Sequence, residues 1–180
     1  SLPQSISWTL PNREFTYGDG SIPAGAESTS HLPLSFQSSN PLVASVVNGE
    51  LHLGVPGSTT ITAYQHGEGA YRAAETVQQT VTVKKGAVTV TPRIPDVKLG
   101  STPEWIYSYT GLVKQEDTVL LPNPLALGVS HILNDAGQEQ APDAVLPLGI
   151  YSMKASGTGY STPLYTITPA DGQFSVVQGK

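Results

Sequence analysis

The chain has 180 residues, of which 38% are hydrophobic and 13% charged, with a net charge of −5 and no cysteine. That length suits one large domain or two ordinary ones, and the apolar content suits packed interiors rather than a disordered tail. The acidic balance argues against nucleic acid and anionic lipid as partners, and the lack of cysteine excludes disulfides and thiolate metal sites. No apolar run approaches the roughly 20 residues of a membrane span. No signal peptide is visible, so the sequence reads as a mature form or an excised fragment.

Helical periodicity is nearly absent. The recurring pattern is short runs of Val, Ile, Thr, Tyr and Phe bounded by Gly, Pro, Asn and Ser. The 18 glycines and 15 prolines fit frequent turns. In chain order, the first half predicts strands at residues 5–10, near Phe15, at 34–37, 43–47, 50–53, 58–65 and 77–84. Trp8 shares one side of the first strand with Ile6 and Leu10, a core pattern. Thr59, Ile61 and Ala63 alternate onto one face, as do Val77, Gln79, Val81 and Val83. Asn48-Gly49 lies between two runs and favours the positive φ angles of a two-residue hairpin turn.

Lys84-Lys85-Gly86 breaks the pattern, which divides the chain into domains at residues 1–84 and 85–180. So short a junction predicts modules stacked end to end. The second half predicts strands at 87–91, 104–110, 125–129, 149–156, 164–168 and 173–178, with a polar surface loop over 134–147 that includes a helical turn. The halves echo each other: each has an early segment with Gly, Ser and Pro (Tyr17-Gly18-Asp19-Gly20-Ser21-Ile22-Pro23 and Leu99-Gly100-Ser101-Thr102-Pro103), a late Gly/Ala-Tyr pair (Ala70-Tyr71, Gly159-Tyr160) and a closing alternating strand. Many short strands with regular turn signals predict an all-β chain of two tandem β-sandwiches.

Specific residues sharpen this expectation. The first half carries Ile6-Ser7-Trp8, Thr16-Tyr17-Gly18-Asp19, Ser38-Ser39-Asn40-Pro41-Leu42-Val43-Ala44 and Pro56-Gly57-Ser58-Thr59-Thr60-Ile61-Thr62-Ala63. In these it resembles the bacterial immunoglobulin-like repeats of large surface and adhesin-type proteins. The second half carries Trp105-Ile106-Tyr107-Ser108-Tyr109-Thr110-Gly111, Pro147-Leu148-Gly149-Ile150-Tyr151 and Leu164-Tyr165-Thr166-Ile167. It resembles the MBG domain, a related bacterial immunoglobulin-like module. It departs from that family at Leu99-Gly100, where Tyr-Gly is usual, and in an extended 134–147 loop. The resemblance implies an immunoglobulin-like fold and surface display. It brings no shared catalytic residues.

Candidate sites are few. Trp105, Tyr107 and Tyr109 alternate onto one side of a strand, a pattern that fits a core face, an inter-domain contact or a platform stacking on sugar rings. His31, His52, His66 and His131 are isolated and lack the local pairing of zinc ligands. For calcium, the best oxygens are Asp96 and the group Asn134, Asp135 and Glu139, and neither follows the spaced acidic pattern of a calcium loop. Glu104 with Glu116-Asp117 is the only acid pairing to consider for hydrolysis, and adjacent acids in a polar turn read as solvated. No nucleophile elbow or phosphate loop occurs, and Tyr17-Gly18-Asp19-Gly20 reads as a turn.

The expectation is therefore a non-catalytic module pair of an extracellular or cell-surface protein, with no cofactor, acting in adhesion or as a spacer. Its partners would be other domains of the same surface protein and an unidentified protein or glycan. A carbohydrate-binding module is the alternative.

Overall fold

A computed structural model of the chain describes residues 1–121, 123, 130–155 and 160–179. The described chain is all-β apart from one 3-10 helix, and it divides into two compact units, Ser1–Gly86 and Ala87–Lys180.

The first unit contains β1 (Ile6–Ser7), β2 (Glu14–Thr16), β3 (Ser21–Pro23), β4 (Glu27–Ser28), β5 (Ser35–Ser38), β6 (Ala44–Val47), β7 (Glu50–Leu53), β8 (Gly57–Tyr64), β9 (Gly67–Glu68), β10 (Tyr71–Arg72) and β11 (Val77–Lys84). One sheet has the order β2-β11-β8-β5 and another β3-β7-β6, while β1-β4 and β10-β9 are short pairs. β8 and β11 run antiparallel with Ile61 opposite Gln79 and Thr59 opposite Val81, and β2 joins β11 in parallel.

Thr59, Ile61 and Ala63 of β8 and Gln79, Val81 and Val83 of β11 are buried, and their neighbours are half-buried or exposed. The period of two in the sequence is thus a period of two in burial. Ala44 and Leu51 from the smaller sheet, with Val43 just before it, join Trp8, Phe15, Ile61, Val81 and Val83 in one apolar cluster. Asn48 (φ 51°) and Gly49 (φ 77°) form the turn that sets Val47 opposite Glu50.

The predicted strand at 5–10 is shorter than expected, pairing only at Ile6 and Ser7. Beyond them the Trp8 carbonyl accepts a hydrogen bond from the Gln79 side chain at 2.8 Å. Several short pairings carry no sequence signal, because they exist only through distant partners. The N-terminus is one such case: Leu2 bridges to Tyr71 and accepts from Arg72 N–H at 2.9 Å.

The second unit contains β12 (Gly86–Arg93), β13 (Val97–Lys98), β14 (Ile106–Thr110), the 3-10 helix Gln115–Leu120, β15 (Ser130–Leu133), β16 (Glu139–Gln140), β17 (Gly149–Ala155), β18 (Tyr160–Ser161), β19 (Tyr165–Pro169) and β20 (Gly172–Val177). Its sheets have the orders β14-β12-β19-β18 and β13-β20-β17-β15-β16. Ile132, Tyr151, Met153, Phe174 and Val176 of the second sheet form an apolar cluster with Ile94, Val97 and Leu146. Val88, Val90, Tyr165 and Ile167 are buried on the first sheet.

The predicted strand at 125–129 and the last residue of the one at 149–156 lie outside the described residues. The helical turn expected in 134–147 is replaced by a hairpin that ends in β16. There the Asn134 Oδ1 accepts from the N–H groups of Ala136 (3.1 Å) and Gln138 (2.8 Å), and Gly137 turns with φ 79°. An Asn side chain capping its own turn competes effectively with helix formation. The helical segment lies instead at 115–120, where Asp117 N–H donates to Lys114 C=O and Leu121 N–H to Thr118 C=O.

Candidate functional site

The aromatic strand is the strongest sequence candidate, so its direction matters most. On β14, Tyr109 is opposite Val90 and Tyr107 opposite Pro92, both buried positions of β12. Directly paired residues share a side of a sheet, so both tyrosines face inward. Tyr160 of β18 is opposite the buried Ile167 and faces the same way.

Trp105, Tyr107 and Tyr109 are each half-buried. The Trp105 and Tyr107 rings stack at 5.9 Å with planes 21° apart, and Trp105 packs against the apolar cluster of the second sheet. The Trp105 indole N–H donates to the Pro142 carbonyl at 3.0 Å, which fixes the ring from its polar end. This arrangement uses most of the aromatic surface internally and leaves only its margins to a ligand.

The tyrosine hydroxyls share this interior. Those of Tyr107 and Tyr160 are buried and have no hydrogen-bond partner among the described residues. Burial raises the Tyr107 phenol to about 12, with smaller contributions from Tyr109 and Tyr160, and raises Tyr160 to about 12, helped by Tyr109. Burial thus favours the neutral phenol at both positions.

Asp117 corrects the sequence reading. The sequence reads it as solvated beside Glu116, yet it is 6% exposed while Glu116 is exposed. Its carboxylate accepts from the Tyr165 hydroxyl, and that same hydroxyl oxygen accepts from Val113 N–H at 2.9 Å. Burial pushes the Tyr165 phenol up, and the neighbouring carboxylate adds to that shift. The 3-10 helix is thereby pinned to β19. In the sequence Asp117 is flanked by Glu116 and by Thr118-Val119-Leu120, of which Val119 and Leu120 are exposed. That alone does not distinguish a buried acid from an exposed one.

The remaining candidates are separate. His31 takes a positive φ of 60° beside an open groove of about 600 Å³, lined by Ala26, Glu27, Leu34, Phe36, Val46 and Asn48 among others. His52 bonds to Ser21 Oγ at 2.8 Å, His66 meets the edge of Tyr64, and His131 pairs with Glu139 at 2.7 Å. Asn134 is committed to its own turn and Glu139 to His131, so neither is free to converge on a cation. Asp96 lies in the stretch before β13, apart from them in sequence and on the sheet's far side. Among the described residues no group of three His, Asp or Glu side chains could hold a metal ion. None of the described helices is long and apolar enough to cross a membrane.

The buried polar side chains of the first unit serve its architecture. Trp8 Nε1 donates to Ala24 C=O at 2.9 Å while Gln79 holds the Trp8 carbonyl. Thr59 Oγ1 lies within hydrogen-bond distance of Ser38 Oγ (2.8 Å) and Ser39 Oγ (3.0 Å), and accepts from Asn40 N–H (2.8 Å). No protein-family profile matches the chain, and no curated protein matches it in sequence.

Proposed function

We propose that the chain is a pair of immunoglobulin-like β-sandwiches from a bacterial surface or secreted protein. In this reading it is non-catalytic and acts as a spacer or adhesive segment, with the boundary near Lys85. The observation that carries the reading is the use of the buried polar groups. Gln79, Trp8, Thr59 and Asp117 spend their hydrogen bonds tying one part of a unit to another. Such groups rigidify a scaffold rather than converge on a substrate. The alternating strands and the resemblance of both halves to surface repeats support the same reading.

The carbohydrate-binding alternative rests on the partly exposed Trp105–Tyr107 stack. Binding of the purified chain to a panel of glycans and matrix proteins, alongside a Trp105→Ala variant, separates the two readings. A spacer shows no saturable glycan binding. Saturable binding that disappears in a folded Trp105→Ala protein assigns the chain to the carbohydrate class instead. Small-angle scattering tests the spacer directly, because independently tumbling units give a broad distance distribution that a rigid spacer does not.

A further inference from the structure

β14 is an edge strand of its sheet among the described residues, and its open side can be read from its partner. The Val90 carbonyl accepts from Ala170 N–H at 2.8 Å, so the polar groups of Val90 point toward β19 and away from β14. Tyr109, opposite Val90, therefore directs its own N–H and C=O outward, as Tyr107 does opposite Pro92. Proteins usually blunt such edges with charge, proline, a bulge or short length. At the other edges β2 carries Glu14 ion-paired to Lys84, β13 follows Pro95 and contains Lys98, β3 contains Pro23, and β16 and β18 have two residues each. The uncharged β5 and β6 lie beside each other, with Ser38 Oγ donating to the Ala44 carbonyl at 2.7 Å. β14 has five residues, Ile-Tyr-Ser-Tyr-Thr, with no charge and no proline, and with strong strand-forming side chains.

We propose that β14 is a self-association edge that pairs antiparallel with β14 of a second copy about a two-fold axis at Ser108. That register overlaps all five residues. It sets Tyr107 against Tyr109 of the other copy in hydrogen-bonded pairs, giving about four main-chain hydrogen bonds. It also sets Ile106 against Thr110 and Ser108 against Ser108 in non-hydrogen-bonded pairs. A second copy is the occupant because the edge is complementary to itself: its outward groups fall at alternate residues symmetric about Ser108, and no charge opposes the pairing. The contact is small, so association is weak and depends on concentration.

The absence of cysteine makes the test clean. In the proposed register the two Ser108 Cα atoms lie about 4.5 Å apart, within disulfide range. Mild oxidation of Ser108→Cys should form a covalent dimer at least about ten-fold faster than Thr166→Cys, an exposed position on the same sheet away from the edge. Thr110→Cys, which faces Ile106 of the other copy, should behave like that control. Adding Ile106→Lys and Thr110→Lys to Ser108→Cys should slow cross-linking to the control rate, with circular dichroism confirming that every variant folds. Equal rates for Ser108→Cys and Thr166→Cys would overturn the proposal. So would fast dimerisation of Thr110→Cys, which requires another register, or insensitivity to the two lysines.

Discussion

The Tyr165 hydroxyl donates to the Asp117 carboxylate across 48 residues of sequence, and both side chains are buried. The same oxygen also receives Val113 N–H. Tyr165→Phe removes the group that both use while preserving the ring. Hydrogen bonds to buried charged groups are the costly ones to lose, so the expected destabilisation is roughly 2–4 kcal/mol. Urea unfolding followed by circular dichroism measures it. A change under about 0.5 kcal/mol would mean that the pair does not anchor the 3-10 helix.

What the sequence reveals here is what is local. The alternation in β8 and β11 and the Asn48-Gly49 turn are written in neighbouring residues, and the structure keeps them. Parity alone puts Gln79 on the buried face, although its reason for being there, the Trp8 carbonyl, lies 71 residues away. The burial of Asp117 and the short β1–β4 and β9–β10 pairs depend on partners that no local window contains. The aromatic alternation of Trp105, Tyr107 and Tyr109 was plain, but its direction follows from the register of β14 on β12. The same holds for the position of β14 at the edge of its sheet among the described residues, since strand order is a property of the whole sheet.

Two glycines separate conformational strain from steric exclusion. Gly49 has φ 77°, and a Cβ there would meet nothing within 4 Å. Gly49→Ala should therefore cost only the left-handed backbone penalty, roughly 1–2 kcal/mol. A Cβ on Gly54 would lie 2.1 Å from the Leu42 carbonyl oxygen. That carbonyl is held by Val55 N–H at 2.9 Å, and Gly54 N–H is itself held by the Val43 carbonyl at 2.8 Å. Neither backbone segment can yield cheaply, so Gly54→Ala should cost more than about 3 kcal/mol. Denaturant midpoints for the pair give the order, and a larger loss at Gly49 would contradict it.

Trp8 joins a polar and an apolar role. Its ring meets Phe36 edge-on at 5.4 Å, and its N–H donates to the buried Ala24 carbonyl. Trp8→Phe loses that donor and leaves unfilled volume, for an expected cost of roughly 2–4 kcal/mol. Gln79→Leu keeps similar bulk and removes only the donor to the Trp8 carbonyl, so its cost should be smaller, roughly 1–3 kcal/mol. Thermal unfolding of both variants against the parent chain tests the ranking.

Tyr107 and Tyr160 predict a stability change at alkaline pH. Burial favours the neutral phenol in the folded chain, so each titrates near 12 rather than at the ordinary value of 10.0. Below about pH 9 both folded and unfolded chains hold these protons, and stability does not depend on them. Between about 10 and 12 the unfolded chain ionises first, so it binds fewer protons and stability falls as pH rises. The thermal midpoint should stay level to about pH 9 and then drop, and the phenolate absorbance of the folded chain should show a late-titrating fraction. In the Tyr107→Phe/Tyr160→Phe double variant both the steep drop and the late fraction should shrink. Its stability at neutral pH should be equal or higher, because the hydroxyls removed have no partners among the described residues. A double variant that is clearly less stable at neutral pH would show that those hydroxyls do form bonds in solution.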